Sequence, residues 1–122
     1  MRFSVLHFLS FVFEGNVLGS YRSRFDIIAD MLRVVNGNNG AKKTQIMYGA
    51  NLSYKVLTRY LGEVLEACLV RFERNRRCYV LTAKGREFLQ RYRDYARRNR
   101  HLEQQLKNVR AKRKALEELC ST

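Results

Sequence analysis

Proline and tryptophan are absent from the 122 residues. Without proline no position forbids a helix, so a long unbroken one is permitted though not proved. Cysteine is scarce and odd in number: Cys68, Cys78 and Cys120, with no C-x-x-C pair. That excludes a full disulfide framework, and with His7 and His101 alone for company it makes no plausible zinc site. Cys68 and Cys78 stand among apolar residues and are expected to be buried thiols in a reducing compartment. Acidic residues are also few, 11 against 24 Lys and Arg. No apolar run reaches the length of a membrane span, so a membrane partner is not expected. Nucleophile–His–acid sets, metal-ligand clusters and phosphate-loop signatures are missing too, so the chain does not read as an enzyme, and no cofactor or small-molecule substrate is expected. Asp26 and Asp30 share a helix face at i, i+4, and the sequence gives them no role beyond facing water.

A formal net charge of +13 repels itself in the compact state and attracts polyanions. Nucleic acid is the usual partner, its phosphates supplying most of the affinity. At 46% hydrophobic residues the chain can still bury a core. Its length suits one domain, or one small domain with an extension.

Four segments emerge. Residues 1–20 form an apolar extension: Arg2 precedes an apolar run from Phe3 to Phe13 that resembles a signal-peptide core but lacks a small-residue cleavage site. Two readings stay open, an arm that packs on the domain or a partner, and a functional start further on, near Val17 or Leu18. The balance lies toward the later start. Residues 21–82 read as a winged helix-turn-helix domain, 83–119 as a dimerising helix and 120–122 as a tail.

Within the domain, Ser23 can cap a helix from Arg24 to Asn36 with Phe25, Ile28, Met31, Leu32 and Val35 as its stripe. Asn36-Gly37-Asn38-Asn39-Gly40 stops it with residues that tolerate positive φ. The stretch Lys43–Leu61, KTQIMYGANLSYKVLTRYL, then reads as a short helix, a three-residue break and a longer helix. Thr44 can cap the first and Gly49 loosens its end. Ser53 or Asn51 can cap the second, whose Val56/Leu57, Tyr60/Leu61 and Val64/Leu65 recur at helical spacing. Two helices about a tight polar turn, the second carrying Lys55 and Arg59, form the pattern of a helix-turn-helix. Lys42 and Lys43 stand in the preceding loop, free to touch a phosphate. Two short strands follow, Leu69 to Phe72 and Cys78 to Leu81, alternating in face. Their tip carries Arg74, Asn75, Arg76 and Arg77, with Arg71 close by, which suits a phosphate or minor-groove contact. Three helices followed by a hairpin is the order of a winged helix-turn-helix, a mostly α fold with a small β-hairpin wing.

Thr82 caps the last element, Ala83 to about Leu119, which as a helix would span about 55 Å. Its apolar positions keep a heptad rhythm. Tyr92, Asn99, Leu106, Arg113 and Cys120 fall at a, and Phe88, Tyr95, Leu102, Val109 and Leu116 at d, so the helix reads as half of a coiled-coil homodimer. Charges leave its direction open. An antiparallel pair opposes Glu103 to Arg110 twice, and a parallel pair aligns Arg98 with Glu103 and Lys112 with Glu117.

KTQIMYGANLSYKVLTRYLGEVLEACLV, then CYVLTAKGREFL, then the heptad helix, resemble the archaeal winged-helix DNA-binding proteins of the small Sulfolobus chromatin-protein type, within the broader ArnR-like winged helix-turn-helix group. The likeness covers residues 21–119; I-M-Y-G-A-N-L-S-Y and Y-V-L-T-A-K-G carry most of its specificity. It implies a homodimer held by an antiparallel coiled coil, with double-stranded DNA as ligand, in a nucleoid-organising or transcription-regulating role in the cytoplasm. Carried over position by position, Lys43 and Thr44, then Asn51, Ser53, Tyr54, Lys55, Thr58 and Arg59, then Arg74, Asn75, Arg76 and Arg77 would face DNA. Residues 1–20 have no counterpart in that family. The last helix is richer in arginine than it, which would extend the DNA-contacting surface. The competing reading is a protein-interaction adaptor that docks through the winged helix and oligomerises through the coiled coil.

Overall fold

A computed structural model describes residues 22–122; the readings made for residues 1–20 lie outside them. Four helices and a hairpin follow in order: α1 (Arg24–Gly37), α2 (Lys43–Gly49), α3 (Tyr54–Glu66), β1 (Val70–Glu73), β2 (Cys78–Leu81) and α4 (Ala83–Cys120). This is the expected winged helix-turn-helix with a long terminal helix. No helix among the described residues is long and apolar enough to cross a membrane.

Local chemistry sets most boundaries. Ser23 accepts from the Asp26 amide while the Asp26 carboxylate accepts from the Ser23 amide, a reciprocal capping box. Beyond α1, Asn39 and Gly40 take φ of +51° and +112°, so the chain reverses where only such residues do so cheaply. Ser53 caps α3 through the Val56 amide and Thr82 caps α4 through the Gly85 amide. Thr44 does not cap α2. The N-cap lies two residues earlier, at Lys42, and the Gln45 side chain accepts from the Lys42 amide instead. Lysine offers no acceptor, so Gln45 supplies that side of the cap alone.

The core lies where α1 crosses α2, α3, β2 and the first turns of α4. Met31, Leu32, Val35, Ile46, Leu57 and Val64 are its fully buried large side chains. Leu89 joins them from α4, a residue outside the heptad stripe. Gly49 is there for approach rather than for loosening: a Cβ would come 2.7 Å from Val34 Cγ2.

The hairpin pairs Val70 with Leu81, Arg71 with Val80, Phe72 with Tyr79 and Glu73 with Cys78. Its first strand starts one residue later than expected, because Leu69 still accepts from the Thr82 amide and hydroxyl at the base of the wing. Alternation holds only in part: Phe72 is exposed, packed edge-on against Tyr79 at 5.1 Å between ring centroids. Ala41 exchanges two backbone hydrogen bonds with Tyr79, at 2.9 and 2.8 Å, as a one-residue third strand. Cys78 is buried as expected. Cys68 is not: it is exposed at φ +63°, in the left-handed position that ends α3.

Candidate nucleic-acid interface

The outer face of α3 is built by its own periodicity. Leu57, Tyr60, Leu61 and Val64 turn inward. That leaves Tyr54, Lys55, Thr58, Arg59 and Gly62 on the solvent side. Tyr54 is 64% exposed. A Cβ on Gly62 would meet nothing within 4 Å, so the far end of this face is open to close approach. Two of its hydroxyls already serve the backbone. Ser53 Oγ accepts from the Val56 amide and Thr58 Oγ1 donates to the Tyr54 carbonyl. The guanidinium of Arg59 stands 5.4 Å from the Tyr60 ring centroid. Lys55 makes no ion pair among the described residues.

One contact joins α2 to this helix, and two tie the wing to the loop before α2. Lys43 Nζ lies 6.0 Å from the Tyr54 ring centroid, so the starts of α2 and α3 meet. The Ala41–Tyr79 bridge holds the strand of the wing against the residue just before Lys42 and Lys43. Arg76 donates from Nη2 to the Asn39 carbonyl across the mouth of the wing. Arg76 is thus partly engaged within the fold, with Glu73 Oε1 also 4.0 Å away. Arg74, Asn75 and Arg77 are exposed at the tip, Arg77 with φ +49°.

Asn51 occupies the turn between α2 and α3 at φ +55°. Its carbonyl accepts from Arg22 Nη1 at 3.2 Å, and Arg22 Nη2 reaches the Ala50 carbonyl and Asp30 Oδ2, both at 2.8 Å. Asp30 therefore does more than face water: it orients an arginine that holds the turn. Arg22 had no signal in the sequence, because its partners are distant along the chain. Tyr48, 78% exposed on α2, was also missed. Its place four residues after Thr44 puts it on the same face.

The long helix joins this head along its first turns. Phe88 and Tyr92 are half-buried against the core. Phe25, Phe88, Tyr92 and Tyr95 form a chain of rings with centroids 6.1–6.4 Å apart. Burial, then a hydrogen bond to Asp26, push the Tyr92 hydroxyl up to about 12. From Tyr95 onward no other described residue covers the stripe: Leu102, Leu106, Val109 and Leu116 are all exposed. Asn99 Nδ2 faces Glu103 Oε1 at 3.5 Å and Arg113 pairs with Glu117 at 3.1 Å, both along their own helix. Hydrogen bonds from Arg97 and Arg98 hold the Asp94 carboxyl below the usual carboxylate range.

An uncharacterised protein of Methanocaldococcus jannaschii is 38% identical over 69 residues, which cover 57% of this chain and 31% of that protein. The chain thus spans less than a third of that relative's length. Among solved structures, Sso10a-2, a DNA-binding protein from Sulfolobus solfataricus, superposes with a TM-score of 0.63 at 23% identity, over 83% of this chain and 99% of that one. At that identity the likeness is one of fold. The winged helix-turn-helix family matches residues 21–100, from the residue before Arg22 into the stalk. With most of its length and all of its head inside that match, the chain belongs to the winged helix-turn-helix family.

Proposed function

We propose that the protein binds double-stranded DNA as a homodimer, in a transcription-regulating or nucleoid-organising role in the cytoplasm. The observation that carries this reading is the joined basic surface of α3, the start of α2 and the wing, on a fold shared with Sso10a-2, a protein named as DNA-binding. In this reading α3 enters a major groove. Asn51, Lys55 and Arg59 are the side chains placed to reach base edges or phosphates, and Tyr54, Ser53 and Thr58 line the approach. Lys42, Lys43 and Thr44 touch backbone on one side. Arg74, Asn75, Arg76 and Arg77 touch it on the other, where the wing meets the flanking groove.

The uncovered stripe from Tyr95 to Leu116 supports pairing of two stalks. An exposed row of large apolar side chains on a solitary helix would stay in water, and a second copy buries it in register. We favour antiparallel pairing, with a head at each end of the rod, as the family resemblance implies; Glu103 then meets Arg110 on both sides of the two-fold axis.

A salt-titrated binding assay with genome-derived and random duplexes tests the function. Affinity that falls steeply with salt is expected, and binding indifferent to salt would sink the electrostatic reading. Protection of two separated patches at a unique site marks a regulator. Uniform coverage at any sequence marks an architectural protein.

A further inference from the structure

The charges of the stalk divide by face. In the heptad lettering used above, the b positions of α4 are Arg86, Arg93, Arg100, Lys107 and Lys114. Every one is basic and every one is exposed. Among the described residues none of these five side chains makes an ion pair or a hydrogen bond, whereas the other arginines of this helix are largely matched. Glu87 takes Arg91 at 2.9 Å, Asp94 takes Arg97 at 2.7 Å and Arg98 at 3.1 Å, and Glu117 takes Arg113 at 3.1 Å. Those partners lie at a, f and g. The paired acids therefore serve other faces and leave one line without an ion pair.

Seven residues advance a helix by about 10.5 Å, so the five charges run straight for about 42 Å. Duplex DNA carries a negative charge every ~1.7 Å of its axis, so a rod of this length lies within reach of phosphate at each step. The neighbouring f positions, Ala83, Gln90, Arg97, Gln104, Ala111 and Glu118, bear no large apolar group. A helix built to lie in a membrane surface needs one, so a water-borne polyanion fits the line better. The b positions border e, away from the a/d seam, so pairing of stalks leaves them open. In an antiparallel pair e faces e, and both b lines then flank one side of the rod.

We propose that this face of the stalk is a second phosphate-binding surface, which holds a DNA duplex along the rod separately from the heads. It rests on the DNA-binding reading for the identity of the polyanion, but on none of the head contacts.

Two triple variants with the same loss of charge test it. Arg93→Gln/Arg100→Gln/Lys107→Gln empties the bare line. Arg91→Gln/Arg97→Gln/Arg98→Gln removes matched arginines. All six residues are exposed and none is at a or d, and circular dichroism confirms that the helix persists. Binding is measured against salt on a duplex of about four turns, each roughly 34–36 Å. The first variant is expected to lower the slope of log affinity against log salt by about two to three, near 0.9 per phosphate lost. The second should lower it by less than one, and Arg93→Lys/Arg100→Lys, which keeps the charge, should bind as the parent does. Equal slopes for the two triples, or no change in the first, overturn the proposal. A head variant, Lys55→Gln/Arg59→Gln/Arg74→Gln, separates the two readings. If it binds normally while the first triple fails, the head reading falls and the stalk surface stands.

Discussion

The Tyr92 hydroxyl donates to the Asp26 carboxylate, tying the stalk to the first turn of α1. The same carboxylate accepts from the Ser23 amide to close the capping box. One acidic group thus fixes both where α1 starts and how α4 leaves the head. Tyr92→Phe keeps the ring and its stacking on Phe88 but removes the donor. A hydrogen bond to a charged group contributes ~1.5–3 kcal/mol when buried. This one is partly exposed, so a loss of about 1 kcal/mol is expected in denaturant unfolding. An unchanged midpoint would show that the ring stack alone sets the junction.

The same tyrosine predicts a pH dependence. Its hydroxyl is raised from the usual 10.0 to about 12, by burial first and the Asp26 hydrogen bond second. A folded-state value above the unfolded one means that the native state holds the proton more tightly. The associated stability is therefore complete below pH ~10 and is lost as pH climbs toward ~12. Ultraviolet titration should show a tyrosine component ionising near pH 12, and that component should vanish in Tyr92→Phe.

Arg22 is expected to act on DNA binding without touching DNA. It bonds the Ala50 and Asn51 carbonyls and Asp30 together, fixing the turn that aims α3. Arg22→Ala leaves those acceptors to water and should cost about 1–2 kcal/mol of stability. DNA affinity should fall several-fold as α3 loosens, with the salt slope unchanged because no phosphate contact is removed. A slope reduced by about one would instead place Arg22 on the backbone of the duplex.

What could be read in the sequence follows the reach of each interaction. The caps Ser23, Ser53 and Thr82 act within three residues, and the inward face of α3 is a helical period, so both are legible locally. Arg22 and Arg76 find carbonyls 28 and 37 residues away, and no local pattern announces that. Cys68 misled because apolar neighbours say nothing about a left-handed residue that turns its side chain outward. Thr44 misled because the helix starts before it: Gln45, at the third position, reaches back to the Lys42 amide and places the N-cap there. For the candidate interface, periodicity located the face of α3. It could not tell that Thr58 turns its hydroxyl to the Tyr54 carbonyl.

Gly85 should be the least replaceable glycine of the head. A Cβ there would collide with the Leu69 carbonyl and meet Leu81 Cδ1 at 2.6 Å, where the wing crosses the start of α4. The collision is with backbone, so no rotamer relieves it. Gly85→Ala should destabilise by ~1–3 kcal/mol despite its better helix propensity. Gly62→Ala, with nothing near, should be neutral or slightly stabilising in the same thermal unfolding assay.

The direction of stalk pairing can be read from Leu106 and Val109. They are 40% and 62% exposed in one chain, so changing them leaves the head intact. The antiparallel register that opposes Glu103 to Arg110 twice also sets Leu106 against Val109 of the partner. In a Cys120→Ser background, Leu106→Cys/Val109→Cys should then form a covalent dimer on mild oxidation. Neither single variant should, because each cysteine then faces an unaltered Val109 or Leu106. A parallel pair brings identical a or d positions together, and there each single variant would cross-link by itself. Cys120 adds an independent check. In the antiparallel register the two copies lie about 40 Å apart along the rod, from a rise of 1.5 Å per residue. Disulfides need Cβ atoms roughly 3.5–4.5 Å apart. The parent chain should therefore gain no Cys120–Cys120 dimer on oxidation, and a covalent dimer lost on Cys120→Ser would reverse the assigned direction.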